Sequence, residues 1–224
     1  MRKLISKMAT MVRGKDFEID SSIPTSYLLN FSATYLVSLA RGLLILRRKV
    51  FLSRSCEFRC KNRIRIGSYS KIGNNCYFDA LSKKGIIIGE SSSIGPYTRI
   101  ECSGTIRDIG KGLVAGNNLG VGAFSFFGCA GGVEIGNNVI MGQYISFHSE
   151  NHIFSEPNVP IKDQGVTRSG IKIGSNVWVG SKVTFLDGCQ VSDNSVVAAG
   201  AVVNSVFPEG VIIGGIPARI IRKI

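Results

Sequence analysis

The sequence predicts an all-β fold, a parallel β-helix of short strands in triangular coils, preceded by an N-terminal helical segment. Three observations carry this. From Ile173 an apolar residue recurs at every sixth place: Ile173, Val179, Phe185, Val191, Val197 and Val203. A second set, small or β-branched, keeps the same interval at Val177, Val183, Cys189, Ser195 and Ala201. Gly or Ala follows three members of the first set, at Gly174, Gly180 and Ala198. A helix repeats at about 3.6 residues and a strand at 2, so neither makes a period of six. A coil that turns a corner after each short strand does. One residue of each six is expected to point inward, and the small residue near the corner lets the backbone bend.

In chain order, the first segment is residues 1–62. Residues 1–65 hold 14 Lys/Arg against 4 Asp/Glu, leaving 13 against 11 for the rest of a chain whose net charge is +12. A basic N-terminal third on a near-neutral body predicts contact with an anionic surface. The opening stretch has no continuous apolar core and no small-residue cleavage site, so it does not read as a secretory signal. An apolar helix follows over about residues 26–49, with Thr25 or Ser26 as its cap and Arg47, Arg48 and Lys49 closing it. From Tyr27 to Leu46 the one formal charge is Arg41, and the length matches a membrane span. Asn30, Ser32, Thr34, Ser38 and Gly42 dilute it. Three placements stay open: lying on the inner leaflet, packing on the protein or a neighbouring subunit, or crossing the bilayer. The basic flank favours a cytoplasmic chain at the inner face of the plasma membrane.

The coil occupies residues 63–206. Ile66-Gly67 and Ile72-Gly73 lead to Phe78 in register, and a short insertion, LSKKG, follows. Ile88-Gly89, Ile94-Gly95, Ile100 and Ile106 resume the sixes. The frame restarts at Ile109-Gly110, runs through Ala115, Val121 and Phe127, and restarts again at Ile135, Met141 and Phe147. Asn74, Asn75, Asn117, Asn118, Asn137, Asn138, Ser175 and Asn176 fill the next places, residue types that tolerate corner dihedrals. Three sixes per triangular turn give roughly seven turns over residues 64–206, and residues 207–224 form a tail. The six cysteines include no C-x-x-C pair and read as reduced thiols of a cytosolic protein.

One large break interrupts the frame between Phe147 and Ile171, predicting an extruded loop over 148–170. It contains Pro157, Pro160 and both histidines of the chain, His148 and His152. Long excursions from a regular coil commonly carry function. A zinc pair at this spacing lacks a third histidine, so no metal is expected. A histidine able to move a proton is expected instead.

The I-G-S-N-V-W-V-G-S repeat, the Asn151-His152 loop, the A-A-G-A-V-V turn and the ending G-G-I-P-A-R-I-I-R-K-I carry a resemblance. Over residues 64–224 the chain resembles the hexapeptide-repeat acyltransferases, nearest to their sugar and polysaccharide O-acetyltransferases. The resemblance implies a left-handed coil, acetyl-CoA as acyl donor and a homotrimer with sites between subunits. It implies a neutral imidazole as general base, with His152 matching best and His148 second, oriented by Glu150 or a backbone carbonyl. Trp178, Gly180, the amide of Ser181, Ala199 and Gly200 would line the pantetheine groove. Arg219, Arg222 and Lys223 would meet the CoA phosphates, although an exposed basic end looks the same. In relatives the turn after Val203 reads Thr-Lys-Asp, where this chain has Asn204-Ser205-Val206. The acceptor implied is a sugar hydroxyl of a surface polysaccharide, free or lipid-linked. Nucleic acid is not among the expected partners. Two alternatives remain: N-acetylation of a nucleotide-linked amino sugar, and a non-catalytic binding platform.

Overall fold

The computed structural model describes residues 19–224. The chain winds into a left-handed parallel β-helix with three flat faces. Strands return to the same face at each turn, parallel to the strand below, except for one antiparallel strand that ends one face. The faces hold nine, seven and seven strands. They are named here in chain order: the first face begins at Phe51–Leu52, the second at Glu57–Arg59 and the third at Ile64–Ile66. On the second face Phe58, Phe78, Ile100, Phe127, Phe147, Phe185 and Val203 lie one above another without a slip in register. Such ladders form the core, since each inward side chain rests on its counterparts in the coils above and below.

Two residues of each six point inward, where the sequence reading expected one. Ile173, Val179, Phe185, Val191, Val197 and Val203 are buried, and so are Val177, Val183, Cys189, Ser195 and Ala201. The two sets flank each corner, one entering it and one leaving, so both face the axis while the three residues between face outward. The glycine after each frame residue serves close approach rather than bending. A Cβ on Gly180 would lie 2.5 Å from the Ala199 nitrogen in the next coil. The left-handed dihedral falls two places later, on Asn75, Asn118, Asn138 and Asn176, with φ of 55–58°. Tyr97, Phe124 and Tyr144 occupy the equivalent slot on the corner between the first and second faces. Their rings stack at 4.8 and 5.2 Å. Aromatic residues are uncommon in this region of dihedral space, and mutual stacking offsets part of that cost.

The boundaries differ from those read in the sequence. The first coil starts at Phe51, inside the segment assigned to residues 1–62, and the last strand of the stack is Val211–Gly214 rather than ending near 206. A 3-10 turn, Lys61–Arg63, lengthens the first coil and hides its six-residue frame. Ile106 does not continue the frame. It is 95 % exposed, on an excursion that rejoins the coil at Leu113–Ala115. The N-terminal helix is Thr25–Arg41, continued by a π-helical turn, Gly42–Leu46, and ended by Arg47 with φ of 56°. Pro24 occupies its N-cap with no side-chain hydrogen bond, so Thr25 and Ser26 lie inside the helix rather than capping it. The absence of a secretory signal was read on residues that fall largely outside the described ones. All six cysteines are free, and Cys76, Cys102, Cys129 and Cys189 are buried. Burial pushes the Cys189 thiol up to about 12.

The three corners are unequal. The first, between the first and second faces, is a four-residue turn at every level, as at 122–125, 142–145, 180–183 and 198–201. The second, between the second and third faces, takes the excursions: 80–85, 102–112 and 149–170.

Candidate active site

The long excursion starts from a strand that keeps strict alternation. Phe147 points in and is fully buried, so its neighbours Ser146 and His148 point out. The loop therefore leaves after His148, which belongs to the rung rather than to the excursion. The Ser146 hydroxyl lies 2.7 Å from His148 Nε2, and the Phe126 ring lies 5.7 Å from the imidazole. Next, Ser149 is buried: its hydroxyl donates to the Gly128 carbonyl at 2.7 Å and accepts from the Gly131 amide at 2.9 Å. Asn151–His152 then pairs antiparallel with Val166–Thr167, His152 opposite Val166. His152 is exposed at the root of this hairpin.

The excursion is braced by residues that sequence reasoning missed. Arg168, with an 11 % exposed side chain, places Nε 3.0 Å from Glu150 Oε2 and Nη1 2.7 Å from Asp108 Oδ2. It thereby ties the loop to the neighbouring excursion. The Lys111 ammonium donates to the Arg168 carbonyl at 2.7 Å. Where the chain returns, Asp187 accepts from the amides of Ser169 and Gly170 at 3.0 and 2.7 Å. Glu150 is thus engaged with Arg168, and among the described residues no hydrogen bond joins it to either imidazole. Glu150, expected with a backbone carbonyl as the alternative to orient the histidine, has Arg168 as its partner here, and a guanidinium is a strong partner for a carboxylate. Removing Arg168 leaves two carboxylates facing each other without their shared cation. Arg168→Met is expected to lower kcat/KM about tenfold or more, while Arg168→Lys recovers part of the loss because a point charge cannot span both acceptors. Steady-state kinetics on both variants checks this.

The other predicted residues gather on the first face and first corner. Trp178 is 60 % exposed and stands outward between Ile140 and Val196. Gly180 and Ser181 form the corner that follows, and Ala199 and Gly200 form the same corner one coil higher. At two levels of this corner a side chain accepts an amide from the coil below: the Arg54 amide donates to Asn74 Oδ1 at 3.0 Å and the Gln143 amide to Ser181 Oγ at 3.3 Å. Above Ser181 stands Ala199, which has no side-chain acceptor to offer. The Ser181 carbonyl takes the Gly200 amide at 2.9 Å, but the Ser181 N–H has no partner among the described residues.

After Gly214 the chain folds back as an antiparallel strand, Arg219–Lys223. Register then places Trp178, Val196, Ile212 and Arg222 in one line across the first face. Three strand spacings put Trp178 and Arg222 about 14 Å apart. Arg219 lies opposite Gly214, with its guanidinium donating to the Ala218 carbonyl at 2.9 Å. The structure therefore brings Trp178, Gly180, Ser181, Ala199, Gly200, Arg219 and Arg222 onto one face and its corner. It places His148, Glu150 and His152 on the opposite edge of the second face.

The description "Bacterial transferase hexapeptide (six repeats)" matches residues 170–205. A putative lipopolysaccharide biosynthesis O-acetyl transferase of Escherichia coli K12 is 27% identical over 190 residues, covering 81% of this chain and 88% of that protein. The chain is similar to the bacterial hexapeptide-repeat transferases. The chain is also 30% identical over 130 residues to a probable acetyltransferase of Mycobacterium tuberculosis, covering 58% of this chain and 43% of that protein. Galactoside O-acetyltransferase of E. coli K12 is 36% identical over 93 residues, 41% of this chain and 44% of that protein. The chain thus spans less than half the length of these last two relatives. Among solved structures, a mutant of AntD, an N-acyltransferase from Bacillus cereus in complex with dTDP and coenzyme A, shares the fold. Its TM-score is 0.52 at 17% identity, over 79% of this chain and 81% of that one.

Proposed function

We propose that this transferase moves an acetyl group from acetyl-CoA to a sugar hydroxyl of a surface polysaccharide or its precursor. The observation that carries the reading is the bare Ser181 amide at a corner whose adjoining face leads through Trp178 to Arg222. A thioester carbonyl gains negative charge as it is attacked, and an unpaired N–H suits that oxygen. The indole of Trp178 offers a wall for the pantetheine arm, and Arg222, with Arg219 beside it, offers guanidinium donors to phosphate. The relatives named for sugar and lipopolysaccharide O-acetyl transfer support the acceptor class.

The acceptor hydroxyl is a poor nucleophile until its proton leaves. The His152 imidazole takes that proton as the oxygen bonds to the acetyl carbon. The tetrahedral intermediate then collapses with cleavage of the C–S bond, and the imidazolium returns the proton to the departing thiolate. The products are an acetyl ester and free CoA thiol. Donor groove and histidine lie on different edges of one chain, so a second copy completes each site. Head-to-tail contact of this kind closes into a ring, here a homotrimer.

The test is incubation with acetyl-CoA and a panel of mono- and oligosaccharides, reading thiol release and the product bond. An ester, cleaved by mild base, is the expected result. A base-stable amide formed on amino sugars alone would replace this reading with N-acetylation, and no acceptor-dependent thiol release would end it.

A further inference from the structure

The N-terminal helix is amphipathic in the wrong sense for a protein surrounded by water. The side turned to the coil is lined by Leu28, Ser32, Tyr35, Ser38, Leu39 and Gly42. Its contacts are with the first face: the Tyr35 ring lies 4.9 Å from Phe51 of the first strand, and the ammonium of Lys71, one coil on, sits 5.5 Å from the same tyrosine. The side turned away is the more apolar. Leu29, Leu36, Val37, Leu43 and Leu44 are 51, 67, 49, 48 and 81 % exposed. Over Thr25–Leu46 only 17% of the most apolar window is buried. A helix packed on a soluble body turns its apolar stripe inward.

A second observation says what covers this face. Between Arg41 and Arg65 the chain carries nine Lys/Arg and one acid, Glu57. Arg47, Arg48 and Lys49 end the helix, and Arg54, Arg59, Lys61, Arg63 and Arg65 stud the coil beside it, all exposed. An apolar stripe edged by cations at one end of the prism matches a surface that is apolar within and anionic at its rim. We propose that this end docks on an anionic lipid bilayer, with the helix lying in the headgroup plane and its outer face in the acyl boundary. Flat binding also accounts for Asn30, Ser32 and Thr34 in the first half of the helix, which a spanning segment would carry into hydrocarbon. Docking does not depend on the acetyl-transfer reading: it holds or fails whatever the coil catalyses.

The test uses the full chain and co-sedimentation with vesicles of phosphatidylcholine alone or with about 30% phosphatidylglycerol. The expected result is at least tenfold stronger partition onto the anionic vesicles, reversed by high salt. Leu36→Glu with Leu44→Glu, both on the exposed side, should abolish partition while the circular dichroism melt is unchanged. Arg47→Glu with Arg48→Glu should remove the preference for anionic lipid. Three results would overturn the proposal. One is equal partition of wild type and Leu36→Glu/Leu44→Glu. Another is retention of wild type in the vesicles after alkaline carbonate, the mark of a spanning helix. The third is a fall in oligomer size with no change in partition, which makes the face a subunit contact.

Discussion

Replacing His152 by Ala is expected to lower turnover about 10²–10⁴-fold, or ~3–5 kcal/mol, the contribution of a positioned general base. The loss should fall on kcat with KM for acetyl-CoA little changed, because the proposed donor groove lies on another edge of the chain. His148→Ala should have the smaller effect. Its imidazole already has Ser146 at 2.7 Å and an aromatic neighbour in Phe126, so it is held against the rung. His152 instead stands exposed on a hairpin braced through Arg168 and Asp187. The measurement is kcat for both alanine variants at saturating acetyl-CoA, with oligomer size as control. Greater loss in His148→Ala would transfer the base to the rung position.

Phe147→Ala should cost the most stability. The ring is fully buried and stacked on both sides, 4.6 Å from Phe127 and 4.7 Å from Phe185. Deleting it leaves a gap that the stiff ladder closes poorly, at about 3–5 kcal/mol. For a chain of this length that corresponds to a fall in Tm on the order of 10 °C. In a repeat fold each coil contacts only its neighbours, so the damage should be local. Amide exchange should accelerate first in the strands Phe126–Gly128 and Thr184–Leu186, and with them the base of the loop bearing His152. A Tm within about 2 °C of wild type would mean that the ladder repacks.

The coil was legible because inward positions recur at a fixed interval, and nothing but a small or apolar side chain fits them. Legibility failed where local geometry broke the interval. The first coil was missed because Leu52 and Phe58 are followed by the Lys61–Arg63 turn and by no glycine. Ile106 fell in frame by spacing alone. In the site, both histidines were conspicuous as the only two in the chain. Their bracing was not: Arg168 and Asp108 are 60 residues apart, and nothing local in the sequence pairs them. Asp187 was marked only by the Asp-Gly turn signal that it begins. The bare Ser181 amide is the product of an alanine one coil above, a neighbour that exists only after winding.

That every long excursion leaves by a single edge has a consequence for how such a molecule diversifies. Chain length inserted at 80–85, 102–112 or 149–170 alters neither the pitch of the prism nor the spacing of its rungs. Material can be added, trimmed or exchanged on that ridge while the first face, which lies opposite it, keeps its dimensions. Under the proposed function, acceptor choice and donor binding are therefore expected to be separable by grafting, a division of labour written into the cross-section of the coil.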